Sequence, residues 1–161
     1  MPSLSTTFTA FADVTRTNSV AGWQNVGNAQ ASDDVRATTQ TVGSSGYTDF
    51  LQATGLAGKI PSNAVVTGIV VSIERSDPQG ITTDSYVRLV VGGAIVGNDK
   101  ASSSSWPTTD ATATYGGSAD LWGLSLTATQ VNASNFGVAL SAGVGFGGAS
   151  TNPGTGGSNL S

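Results

Sequence analysis

The sequence contains neither cysteine nor histidine. The first absence removes disulfides, thiolate nucleophiles and cysteine-bound zinc. The second removes the imidazole on which most general acid–base chemistry depends. Charge is also scarce: 10% of the residues are Asp, Glu, Lys or Arg, against about 25% in ordinary soluble chains. The polar surface must therefore be built from Ser, Thr, Asn and the 22 glycines. The six basic residues, Arg16, Arg36, Lys59, Arg75, Arg88 and Lys100, stand singly, and the net charge is −4. No cationic stripe is available for a phosphate backbone, so nucleic acid is not an expected partner. No apolar run approaches the roughly 20 residues of a membrane span. The opening MPSLSTTFTAF lacks the basic start and apolar core of a signal peptide, so cytoplasmic synthesis without a membrane partner is expected. No cofactor is expected either, and stability must come from packing and assembly.

What is present is alternation. In Thr67–Arg75, Thr67, Ile69, Val71 and Ile73 face one way, and Gly68, Val70, Ser72 and Glu74 the other. This period of two, rich in β-branched residues, predicts a strand with one face on a core. Ser85–Val91 repeats it, with Val87, Leu89 and Val91 inward. Burying Ile69, Val71, Ile73, Val87, Leu89 and Val91 is worth about 10–15 kcal/mol gross. Gly92-Gly93 between two apolar runs predicts a two-residue hairpin returning through Ala94–Val96.

Around this centre the chain reads as short strands and turns. Ser5–Phe11 is a weak strand, an edge or an arm, in which Phe8 and Phe11 cannot both face inward in a regular pleat. Thr15–Asn28 reads as loop, with Trp23 as a plug over one end of the core. Val35–Thr39, within Asp33–Val42, is a strand candidate, turned at Gly43–Gly46 into Tyr47–Ala53. Pro61 bends the chain into the central strand, and Asp77-Pro78 and Gly80 form a loop within Ser76–Thr83. Trp106 pins an extended Ala101–Thr108, and Thr112–Ser118 leads to Asp120–Gly123. Thr127 with Gln130 resembles a capping box opening one helical turn. Phe136–Leu140 is the last apolar strand. The expectation is one all-β domain, an antiparallel β-sandwich with little or no helix. Residues 1–22 form an arm or edge strand, 23–142 the sandwich, and 143–161 a Gly/Ser-rich flexible tail or loop.

With Cys and His missing, carboxylates are the remaining conventional catalysts. Glu74 opposite Asp84 or Asp49 could form an acid–base pair, but Glu74-Arg75 reads more simply as a solvated strand end with a cross-strand ion pair. Asp33-Asp34 and Asn98-Asp99 could offer oxygens to calcium; neither has the spacing of a calcium loop, and Asp in turns is ordinary turn chemistry. Trp106, Tyr115 and Trp122 lie close in sequence and could form a sugar-stacking platform, core or cap packing being the alternative. Gly92-Gly93 and Gly116-Gly117 are not phosphate loops, since no Lys-Ser/Thr follows.

The ordered set Trp23, Asn28-Ala29, Ser32-Asp33-Asp34, Asp49-Phe50-Leu51, Ile60-Pro61, Thr67-Gly68-Ile69, Ile73-Glu74-Arg75, Trp106-Pro107-Thr108, Tyr115-Gly116-Gly117, Asp120–Gly123 and Val131–Val138 resembles a jelly-roll-like β-sandwich module of tailed-bacteriophage and prophage virion proteins. The resemblance spans Trp23 to Leu140. It implies a non-enzymatic structural protein of the virion: a capsid decoration or head-associated protein, bound to other virion subunits and homo-oligomeric. The alternative it implies is a tail-fibre or baseplate domain contacting host glycans through Trp106, Tyr115 or Trp122. Such modules close with one further apolar strand, which is missing after Leu140. A neighbouring subunit, the Ser5–Phe11 segment or residues beyond Ser161 are expected to cover that edge, the neighbouring subunit being favoured.

Overall fold

A computed structural model of the chain describes residues 3–40, 45–144 and 157–160. Two antiparallel sheets enclose the core. The larger runs in the order β1 (Phe8–Val14), β5 (Phe50–Leu56), β10 (Gly137–Val144), β7 (Thr82–Val91), β8 (Ala94–Val96), with β4 (Gly46–Tyr47) pairing to the end of β10. The smaller runs β11 (Gly157–Leu160), β6 (Val70–Ser76), β9 (Ala111–Gly116). A two-stranded ribbon, β2 (Trp23–Gln24) with β3 (Thr38–Thr39), and a 3₁₀ turn at Val26–Gln30 pack beside β1 and β11. Every ladder among the described residues is antiparallel, as expected for an all-β sandwich.

The core is the meeting of the two inner faces. Val71 and Ile73 of β6 and Tyr115 of β9 pack with Leu51 and Ala53 of β5, Val87 and Leu89 of β7, and Val138 and Leu140 of β10. Of the alternation read in Thr67–Arg75 and Ser85–Val91, the sheets keep Val70–Arg75 and Val87–Leu89; Val90, read as outward, is buried, and Val91, read as inward, is half-buried. The hairpin is also as expected: Gly92 and Gly93 have φ of 62° and 81°, the left-handed pair that a primed turn requires. Helix α1 (Ala128–Val131) opens on Thr127, which accepts from the Gln130 backbone while the Gln130 side chain accepts from Thr127 N–H. The capping box is therefore present.

Several expectations need correction. The β6 ladder starts at Val70, with Thr67 exposed and Ile69 only half-buried. Before that point the Ile69 N–H donates to Asp120 O, and a Cβ on Gly68 would lie 2.3 Å from Gly117 O. The chain passes hard against the 117–120 turn there and cannot sit in the sheet. Arg75, read as solvated, is buried. The 15–28 stretch holds β2 and most of the 3₁₀ turn. The Asp33–Val42 strand shrinks to Thr38–Thr39, because Val35 is exposed and Arg36 is drawn to Asp110. Residues 41–44 of that reading lie outside the described residues. Phe8 and Phe11 both pack against the core; Gly55, at φ 71°, interrupts the pairing between them, opposite Thr9.

The largest correction concerns the end of the chain. Residues 143–161 read as a tail, yet β10 continues through Val144, and Gly157–Leu160 pairs with Ser76–Ile73 of β6. The chain itself therefore covers the β6 edge, as β1 covers that of β5. Pairing at an edge is satisfied by backbone N–H and C=O groups alone, so it needs no apolar periodicity. Residues 145–156 and Ser161 lie outside the described residues.

Candidate functional site

The densest polar centre lies inside the sandwich. Between Asp84 and Tyr86 the β7–β10 register shifts against Ser141 and Ala142. This bulge reverses side-chain parity and turns Asp84 into the core. Its carboxylate accepts from Arg75 Nη1, from Trp106 Nε1 at 2.8 Å, from Tyr115 OH at 2.9 Å and from Ser102 N–H at 3.0 Å. The Arg75 guanidinium also lies 5.2 Å from the Trp106 ring and 5.9 Å from that of Tyr115, while its Nε is buried with no acceptor among the described residues. Burial, and then the Asp84 charge, push the Tyr115 phenol above its ordinary pKa. A buried carboxylate whose oxygens already accept from four donors has no free lone pair to offer a substrate, so this is a structural centre.

The proposed glycan contacts are accounted for here. Trp106, Tyr115 and Trp122 are 1%, 5% and 0% exposed. Trp106 and Tyr115 are spent on Asp84, and Trp122 Nε1 donates to Ile69 O at 3.0 Å. Their faces are packed, so a sugar has no plane to stack on. The carboxylate pairs are likewise not assembled. Glu74 points to the opposite face of β6 from Arg75 and its partner Asp84, and accepts from Ser32 Oγ. Asp49 accepts from Arg16 N–H at 2.8 Å. Asp33 accepts from Val35 N–H, and Asp99 from both Val87 and Ala101 N–H at 3.0 Å, which is turn and loop chemistry. Among the described residues no group of three or more acidic side chains is disposed to hold a metal ion, and no helix is long and apolar enough to cross a membrane.

Two surface features were not legible in advance. On the outer face of the larger sheet, Arg16 Nη1 donates to Ser85 Oγ and Ser141 Oγ, each at 2.7 Å. Its guanidinium stands 4.3 Å from the Tyr47 ring, 4.4 Å from Tyr86 and 5.7 Å from Phe50. The contacts clamp the 15–22 loop onto the sheet, and Tyr47 remains half exposed. The sequence signals present were two aromatics, Tyr47 and Phe50, in the Tyr47–Ala53 stretch and a lone Arg in a charge-poor chain. The second feature is an open cleft of about 390 Å³ lined by Arg36, Ser76, Pro78, Thr108, Thr109 and Asp110. Asp110 pairs with Arg36 and accepts from Ser76 Oγ at 2.5 Å. Those bonds, Arg36 first, hold its pKa below the usual carboxylate range. A carboxylate so paired is not an available base.

Fold and geometry together define an antiparallel all-β sandwich whose polar and aromatic side chains serve mainly its own interior. Comparison with protein-family models, curated proteins and solved structures finds no match for this chain.

Proposed function

We propose that this chain is a non-catalytic structural protein of a tailed-bacteriophage particle, a decoration or head-associated protein of the virion. The observation that carries the reading is where the reactive side chains go. Asp84, Arg75, Trp106, Tyr115 and Trp122 are consumed by internal bonds, leaving outside a charge-poor surface and, among the described residues, an open strand edge at β9. A protein built in this way acts by covering and pairing. Contacts that are weak singly are summed over many copies on a repeating shell. A tail-fibre or baseplate role through Trp106, Tyr115 or Trp122 loses its contact residues to the core.

The experiment is location and copy number. Particles made by the strain that encodes the chain are purified, quantified by mass spectrometry and imaged with a labelled antibody. Hundreds of copies on the head are expected. Absence from the particle, or a few copies at the tail tip, would overturn the reading.

A further inference from the structure

Among the described residues, β9 is the outer strand of the smaller sheet. Gly117 N–H donates to Ile69 O, which sets the alternation of the β6–β9 ladder. The pairs Val71–Tyr115, Ile73–Ala113 and Arg75–Ala111 therefore exchange hydrogen bonds. It follows that the N–H and C=O of Thr112 and Thr114 point away from β6. Both residues are exposed, and among the described residues no strand pairs with β9 on that side. The edge also lacks the usual protections. Ala111–Gly116, ATATYG, contains no charge and no proline, the devices by which isolated edges are normally kept from pairing.

We propose that β9 pairs antiparallel with β9 of a second copy of this chain, joining two small sheets into one continuous six-stranded sheet. The sequence of the edge selects that partner because it is self-complementary. With a two-fold axis at Ala113, Thr112 stands opposite Thr114 of the other copy, and Thr114 opposite Thr112. Each of these pairs exchanges two main-chain hydrogen bonds. Ala113 then faces Ala113 at the closely spaced, non-hydrogen-bonded position, where a methyl group fits and a larger side chain crowds. The Thr–Thr pairs fall on the outer face beside Ser72 and Glu74, a favourable cross-strand combination with no like charges opposed. The pairing stands on the ladder geometry alone and is independent of the virion reading.

Sedimentation velocity across the micromolar to submillimolar range tests it, with buried-tryptophan fluorescence confirming that each variant is folded. The wild-type chain is expected to dimerise. Thr114→Pro removes an N–H that β6 does not use, and an edge strand tolerates proline there. Because the symmetry deletes two hydrogen bonds, the dimer Kd should rise about a hundredfold. Thr112→Lys with Thr114→Lys sets lysine opposite lysine and should give monomer. Thr112→Lys with Thr114→Glu sets lysine opposite glutamate and should restore the dimer. A monomeric wild type, a dimer indifferent to Thr114→Pro, or a Lys/Glu variant that behaves like Lys/Lys would each overturn the pairing. So would a chain that stays monomeric yet captures an unrelated strand-forming peptide at this edge.

Discussion

Asp84→Ala tests whether the buried polar centre holds the sandwich together. The substitution removes an acceptor of four hydrogen bonds and leaves the Arg75 guanidinium, whose side chain is 9% exposed, without its counter-ion. Breaking a buried ion pair from one side costs about 3–5 kcal/mol. Each further orphaned donor, here Trp106 Nε1, Tyr115 OH and Ser102 N–H, adds about 1–3 kcal/mol before relaxation. Water entering the vacated space recovers part of this sum, so the expected net loss is about 4 kcal/mol. For a chain of this size that corresponds to a fall in Tm of about 8–16 °C. Urea unfolding followed by tryptophan emission reads it directly, because Trp23, Trp106 and Trp122 are all buried. In a double-mutant cycle with Arg75→Ala, the second substitution should cost little once the first is made, giving a coupling of about 2 kcal/mol or more. A loss below about 1 kcal/mol for Asp84→Ala, or strictly additive losses in the cycle, would refute the reasoning.

Three more outcomes follow from the same geometry. The folded protein holds Tyr115 in its neutral form, with a pKa raised by burial and by Asp84. Its contribution to stability is whole below the unfolded phenol pKa of about 10 and declines as pH rises past it; Tyr115→Phe should flatten that alkaline limb in a series of denaturation curves, at about 1 kcal/mol for the lost hydrogen bond at neutral pH. Arg16→Ala should cost about 2–3 kcal/mol through its two hydroxyl contacts and aromatic stack, with faster amide exchange confined to residues 15–22, and Arg16→Lys should recover only part of it. Gly137→Ala places a Cβ 1.8 Å from Ala53 O, forcing β10 from β5, and should cost more than about 3 kcal/mol in thermal melts; Gly92→Asn, at an open turn position with φ 62°, should change stability by less than about 0.5 kcal/mol.

The sequence by itself determined the elements whose evidence is local. Alternation over Val70–Ile73 and Val87–Leu89 specified two core strands, since a side chain every second residue must face one side. Gly92-Gly93 specified the hairpin because few residues adopt its positive φ, and Thr127 with Gln130 specified the helical turn because both hydrogen bonds close within four residues. Tertiary structure decided everything that depends on a partner distant in the chain. Counting by twos from Val87 turns Asp84 outward, and only the bulge opposite Ser141 and Ala142 turns it inward to gather Arg75, Trp106 and Tyr115. The three aromatics that resembled a platform became core for the same reason: exposure belongs to the packed surface, not to spacing along the chain. Arg16 finds Ser141 across 125 residues, a pairing with no local trace. Gly157–Leu160 is a strand because β6 has backbone groups to pair, and such groups are the same in every sequence. The open edge of β9 is of that kind as well: its lack of charge is written in ATATYG, but which of its N–H groups face outward is fixed only by the ladder with β6.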